Sequence, residues 1–187
     1  MNRIGNFVIN KVTWKIVAVF TVLFAVVFIV INYSSIGVAG LLRITGGANI
    51  LDFEFGYSNE GAYQMLTALG ADGRIFYLTQ ILPMDFLLPL SYMLFYVSII
   101  ALLIKHSGRH RYYCFLLCIP VLAAVSDWIE NIGIISMLRN YPILPVWAVV
   151  SASCAGIIKT VCTMGSIAAI GMLLCIFIYR KIRKERV

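Results

Sequence analysis

The sequence predicts an all-α membrane protein: a four-transmembrane-helix bundle with both termini on the cytoplasmic side and a structured outer loop. Three observations lead there. Of the 187 residues, 61% are hydrophobic and only 12% charged, whereas soluble domains are about 45–50% apolar and about 25% charged. Four apolar runs each reach the roughly 20 residues that a helix needs to cross about 30 Å of hydrocarbon. Lysine and arginine, finally, gather on one side of those runs.

The first run covers about 12–31 and contains the charge-free stretch IVAVFTVLFAVVFIVI. Its basic start (Arg3, Lys11, Lys15) resembles that of a signal peptide, but the run is long for a signal core and three more follow. It is therefore read as a retained signal-anchor helix. The second run covers about 82–104 and the third about 113–138. The fourth, between Pro145 and Tyr179, is too long for one crossing. Counting back about 20 residues from Arg180 puts its span at about 157–179, with the preceding residues extending outward. Helices are expected throughout, because an open strand would leave backbone groups unpaired in lipid. The chain is read as a single integral membrane domain, 1–187, with an outer cap over about 32–81.

Orientation follows from eleven basic residues on one side: Arg3, Lys11, Lys15, Lys105, Arg109, Arg111, Arg180, Lys181, Arg183, Lys184 and Arg186. The other side has Arg43, Arg74 and Arg139, and Lys159 sits within the fourth run. The basic side is expected to face the cytoplasm, in a cell (plasma) membrane. The net charge of +7 thus has a membrane explanation, since flanking cations also meet anionic lipid headgroups. No basic stripe lies elsewhere, so no nucleic-acid partner is expected. Cys114, Cys118, Cys154, Cys162 and Cys175 fall within the runs and read as small buried thiols. Asn32-Tyr33-Ser34 matches a glycosylation acceptor but lies against the membrane, and is taken as chance.

In the outer loop, LLRIT and ANILDFEF flank Gly46-Gly47, which reads as a small hairpin. The alternation from Leu51 to Tyr57 would place Leu51, Phe53, Phe55 and Tyr57 on one face and Asp52 and Glu54 on the other. Ser58 is expected to cap a helix with Ala62, Met65, Leu66 and Leu69 on its apolar face, ending at Gly70. Asp72 is expected to cap a second helix, which runs on into the second span past a bend at Pro83.

Ionisable groups inside spans are costly and usually face a bundle interior or a wet cavity. Here they are Asp85, Asp127, Glu130 and Lys159. At a rise of about 1.5 Å per residue, all four fall in the outer half of the bilayer. Asp127, Glu130 and Asn131 share one face of the third span at i, i+3 and i+4, and Asp85, Pro89, Tyr92 and Tyr96 line one stripe of the second. Ala152, Ala155, Gly156, Lys159, Thr163 and Ser166 form a small and polar face of the fourth, suited to close helix contact, a homo-oligomeric one included. The expected site is a polar pocket of Asp85, Tyr92, Asp127, Glu130, Asn131 and Lys159, with Lys159 bridging carboxylates and Arg74 or Arg139 as further counter-charges.

Such a pocket would bind a lipid, an amphiphile or a cationic small molecule. The alternatives are a membrane-embedded enzyme on a lipid-like substrate, with Asp127 or Glu130 as acid or base, and a structural or accessory subunit whose charges fix helix register. A monomeric pore is disfavoured because the inner half of every span is almost wholly apolar. His106, His110, Cys114 and Cys118 recur every fourth residue, but Gly108 breaks the helix between them. No metal and no cofactor are expected, and no phosphate-cradling loop or nucleophile elbow is present.

Overall fold

The structure, a computed structural model, describes residues 2–107 and 113–185. Gly108, Arg109, His110 and Arg111 of the link between the second and third runs, and Arg186, lie outside the described residues. Regular structure among the described residues is entirely helical. Four helical stretches are long and apolar enough to cross a membrane: Trp14–Thr45, Gly70–Ser107, Cys114–Asn140 and Val146–Ile182.

Ahead of the first run stands a helix too short for an apolar-run criterion to detect, α1 (Asn2–Lys11). Its Ile9 is fully buried, while Ile4 and Phe7 are exposed. Lys105 Nζ donates to the carbonyls of Asn10 at 3.1 Å and Val12 at 2.9 Å, supplying a cation where the end of a helix leaves carbonyls unsatisfied. After Thr13, whose Oγ1 accepts from the Ile16 amide, comes α2 (Trp14–Tyr33). Only 11% of its apolar window is buried, against 50% for the second and third stretches and 17% for the fourth. The second and third stretches therefore form the centre, and the first leans on it from outside.

The outer loop departs from the expected hairpin. LLRIT belongs to α3 (Val38–Thr45), and Gly46 is its left-handed cap, with φ +70°. The Gly47 amide reaches back to Leu42 O at 2.9 Å. The two glycines thus end a helix in a reverse-bonded cap rather than turning a hairpin. Without a partner strand, Leu51–Phe53 forms a 3-10 turn. The expected face splits accordingly: Leu51 is buried and Phe53 and Phe55 are exposed. Asp52 turns inward, leaving 8% of its side chain accessible.

Ser58 caps α4 (Asn59–Ala68), its Oγ accepting from Gly61 N at 3.1 Å. Ala62, Leu66 and Leu69 are buried, Met65 packs beside them, and Gly70 (φ +66°) breaks the chain direction. The next helix, α5 (Gly70–Phe76), already starts at Gly70, so Asp72 lies in its first turn and is not its cap. A π-helical turn, Tyr77–Ile81, and the short α6 (Leu82–Asp85) lead into α7 (Leu87–Ser107). Pro83 has no N–H for the carbonyl four residues back, and the wider π turn just before it absorbs that defect.

A 3-10 turn, Cys114–Leu117, precedes α8 (Cys118–Asn140), and a 40-residue helix, α9 (Val146–Glu185), closes the chain. The outward extension of the fourth run is therefore the same helix as its span. Helices α8 and α9 make the closest pair. A side-chain carbon at Gly133 would come within 2.7 Å of Ala152 Cβ and 2.8 Å of Ala148 O. Small residues at such a crossing let backbones approach, and this part of the small face of α9 is taken up inside the chain.

The core has two main apolar clusters. One, at the capped end, joins Leu41, Leu51, Leu66, Tyr77, Ile81, Ile134, Met137 and Ala148. The other joins Ile9, Val17, Ile100, Ile104, Leu116 and Leu173 near the N-terminus. The polar site lies toward the capped cluster.

Candidate functional site: a buried carboxylate cluster

Lys159, on α9, is the hub. Its Nζ lies 2.5 Å from Glu130 Oε2, 3.5 Å from Asp127 Oδ1 and 3.6 Å from Asp52 Oδ1. Only 15% of its side chain is accessible. Glu130 and Asn131 are fully buried and Asp127 nearly so, as their shared face of α8 requires. Glu130 fits because position 156 on α9 is glycine. A side-chain carbon there would stand 2.5 Å from Glu130 Oε1.

Each partner is held by a separate element. Tyr92 on α7 donates from its hydroxyl to Asp127 Oδ2 at 3.1 Å. Tyr77, fully buried at the start of the π turn, donates to Asp52 Oδ2. Asn131 Nδ2 reaches the backbone carbonyl of Asp85 at 3.4 Å, and Trp128 Nε1 that of Phe86 at 3.0 Å. These last two bonds fix the bend between α6 and α7 against α8. In the cap, the Tyr57 amide donates to Ser153 Oγ on α9 at 2.8 Å, anchoring the loop over the cluster. The Tyr57 phenol is raised above its ordinary pKa, first by burial and then by the Glu130 and Asp52 carboxylates, so it stays protonated.

All six sequence-expected residues thus fall in one region, with Asp127, Glu130 and Lys159 in direct contact. Tyr96 makes tilted ring contacts with Phe24, Phe95 and Tyr92 and is in none of the ion pairs. Neither arginine expected as a counter-charge is part of the cluster. Arg74 donates to Leu66 O at 2.8 Å and lies 3.9 Å over the Tyr141 ring, and Arg139 is exposed. Asp52, Tyr57, Tyr77 and Gly156 are additions that sequence reading did not assign to the site. With Asp52 included, three carboxylates surround one ammonium and a fourth, Asp85, lines the same cavity.

Several acceptor oxygens are left without a hydrogen bond: Asp52 Oδ1 and Asp127 Oδ1 meet only the Lys159 ammonium, and Asp85 Oδ2, Glu130 Oε1 and Asn131 Oδ1 have neither a hydrogen bond nor an ion pair. Buried polar atoms are normally paired, and each exception needs a reason. One metal-like grouping occurs among the described residues: carboxylate oxygens of Asp52, Asp127 and Glu130 lie within 4.8 Å of one another. The Lys159 ammonium already touches all three and stands where an ion would sit.

Beside the cluster is a cavity of about 110 Å³. Its lining includes Asp52, Asp85, Asp127 and Lys159, together with Phe28, Ile31 and Asn32 of α2 and Val38, Ile50, Phe53, Ile81 and Leu88. An apolar cavity of about 150 Å³ holds a benzene molecule, so this one takes a group of several heavy atoms and not a whole lipid. Comparison with known protein-family models, with curated proteins and with solved structures returns no match.

Proposed function

We propose that the chain is a single integral membrane domain of the plasma membrane that crosses four times with both ends cytoplasmic, and that its acidic cavity holds the cationic head of a lipid or other amphiphile drawn from the outer leaflet. The orientation rests on Arg3, Lys11, Lys15, Lys105, Arg180 and Lys181 flanking the spans on one side, opposite the cap. The observation that carries the ligand class is the mixed lining of the cavity, three carboxylates and one ammonium together with aliphatic and aromatic groups. An excess of negative charge in an apolar setting is costly unless a cation or protons offset it. The apolar groups suit the first carbons of a tail, whose remainder stays in lipid.

Protein in nanodiscs of zwitterionic lipid, titrated with dodecylammonium and with dodecanoate, tests this by thermal unfolding. The ammonium is expected to raise the transition, and by about 2.7 kcal/mol of stabilisation at one hundred times its Kd. Dodecanoate is expected not to, and Asp127→Asn should weaken the response. Equal shifts from both amphiphiles, or a shift unchanged by Asp127→Asn, would sink the reading.

A further inference from the structure

We infer that the cavity selects a primary ammonium, with Asp85 as the residue that makes the selection; this rests on the cationic-head reading above. The three acids that line the cavity are Asp52, Asp85 and Asp127. Asp52 Oδ1 and Asp127 Oδ1 already face the Lys159 ammonium at 3.6 and 3.5 Å, whereas the buried Asp85 Oδ2 has neither a hydrogen-bond donor nor an ion pair. A primary ammonium carries three N–H donors and no acceptor, and can give one of them to Asp85 Oδ2. A quaternary ammonium carries none and would leave that oxygen unsatisfied. Quaternary heads are held instead by aromatic cages. The aromatic residues of this lining are Phe28 and Phe53, and both are exposed rather than enclosing.

Asp85 differs from the other two. Asp52 and Asp127 each lie within 3.6 Å of the Lys159 ammonium and each accept a tyrosine hydroxyl. Asp85 is 7% exposed, is in no ion pair with Lys159, and leaves its Oδ2 unpartnered. Its position follows from the bend: the carbonyl of Asp85 is fixed by Asn131, at the end of α6, where the chain re-enters a helix at Leu87. A carboxyl oxygen buried in this way without a donor is destabilising by itself, and an incoming N–H donor removes that defect. The head is thus recognised by charge from the whole cluster and by hydrogen bonding through Asp85.

The source of the ammonium is either a net-cationic alkylamine or the amino group of a phosphoethanolamine head. Nanodisc-embedded protein is titrated with dodecylammonium, dodecyltrimethylammonium and a twelve-carbon lysophosphatidylethanolamine, as wild type, Asp85→Leu and Asp127→Asn. Wild type is expected to prefer dodecylammonium over its trimethyl analogue tenfold or more. In Asp85→Leu the preference should fall to within about threefold, while unfolding without ligand occurs at or above the wild-type temperature, because a buried, incompletely bonded polar group has been replaced by an apolar group of similar size. Lysophosphatidylethanolamine binding as tightly as the alkylamine assigns a phospholipid source. Weaker binding assigns a net-cationic one, and both outcomes support the selection of a primary ammonium. Equal affinity of the two dodecyl cations in wild type, still reduced by Asp127→Asn, overturns the selection and leaves the cationic-head reading standing. Binding of neither cation overturns both. A large loss of apo stability in Asp85→Leu overturns the role given to Asp85.

Discussion

Gly156 faces Glu130 across the closest helix pair, and replacing it with alanine probes the cluster without touching a charge. The added carbon would lie 2.5 Å from Glu130 Oε1 and 3.1 Å from its carboxyl carbon, where an ordinary contact begins at 3.4 Å. The carboxylate must therefore retreat by about 0.9 Å, the difference between those two distances. Glu130 is fully buried, and its other oxygen is already 2.5 Å from Lys159, so little room is left. Overpacking of this kind costs about 1–3 kcal/mol. Gly171, on the same helix with nothing within 4 Å of a would-be Cβ, supplies the control, because both variants gain the same helix propensity of about 1 kcal/mol. Gly156→Ala is expected to unfold below Gly171→Ala by that overpacking cost, several degrees at about 2–4 °C per kcal/mol. Tryptophan fluorescence during heating reads this out, since Trp128 is bonded to the bend beside the site. Equal transitions for the two variants would refute the close approach of Glu130 to α9.

Two further outcomes test the surroundings. Lys159→Met leaves Asp52, Asp127 and Glu130 facing one another without their shared cation, and a loss of about 3–5 kcal/mol is expected. Adding Asp127→Asn and Glu130→Gln should recover part of that loss, a coupling visible in the triple variant's unfolding temperature. At the other end of the bundle, Lys105→Met removes the cation from the last carbonyls of α1. Trypsin is expected to cut faster at Lys11 while the main unfolding transition moves by less than about 1 kcal/mol, as for other surface changes. An unchanged cleavage rate would mean that Ile9 and Val12 hold α1 without help.

The helical spans were legible because lipid imposes one rule, length and apolarity, on every crossing. The convergence of Asp127, Glu130 and Lys159 was legible for a related reason: position along a helix converts to depth at a fixed rise. The cap obeys no such rule. Around Gly46-Gly47 the same dipeptide suits a hairpin link and a helix end, and what decides is whether Val38 and Leu41 have a core to enter, which they do. Asp52 was assigned with Glu54 to the face opposite Leu51 and Phe53 by an alternation that holds only for a strand, and a 3-10 turn sends it inward. Its one usable signal was its place among Ile50, Leu51 and Phe53, where a charge needs a partner. Asn2–Lys11 carried an apolar spacing at Ile4, Val8 and Ile9 but fell below the length that marks a span.

The unbroken course of α9 has a mechanical consequence. Its 40 residues make a rod of about 60 Å at 1.5 Å per residue, twice the thickness of the hydrocarbon it crosses. Lys159 is gripped near one third of its length, and Arg180 lies about 32 Å farther along at the same rise. Leu173, about 21 Å beyond Lys159 at that rise, is fully buried in the second apolar cluster. The same rigid helix is thus held at the carboxylates and at the far core, so a rearrangement around Lys159 cannot move α9 without also disturbing the packing of Leu173.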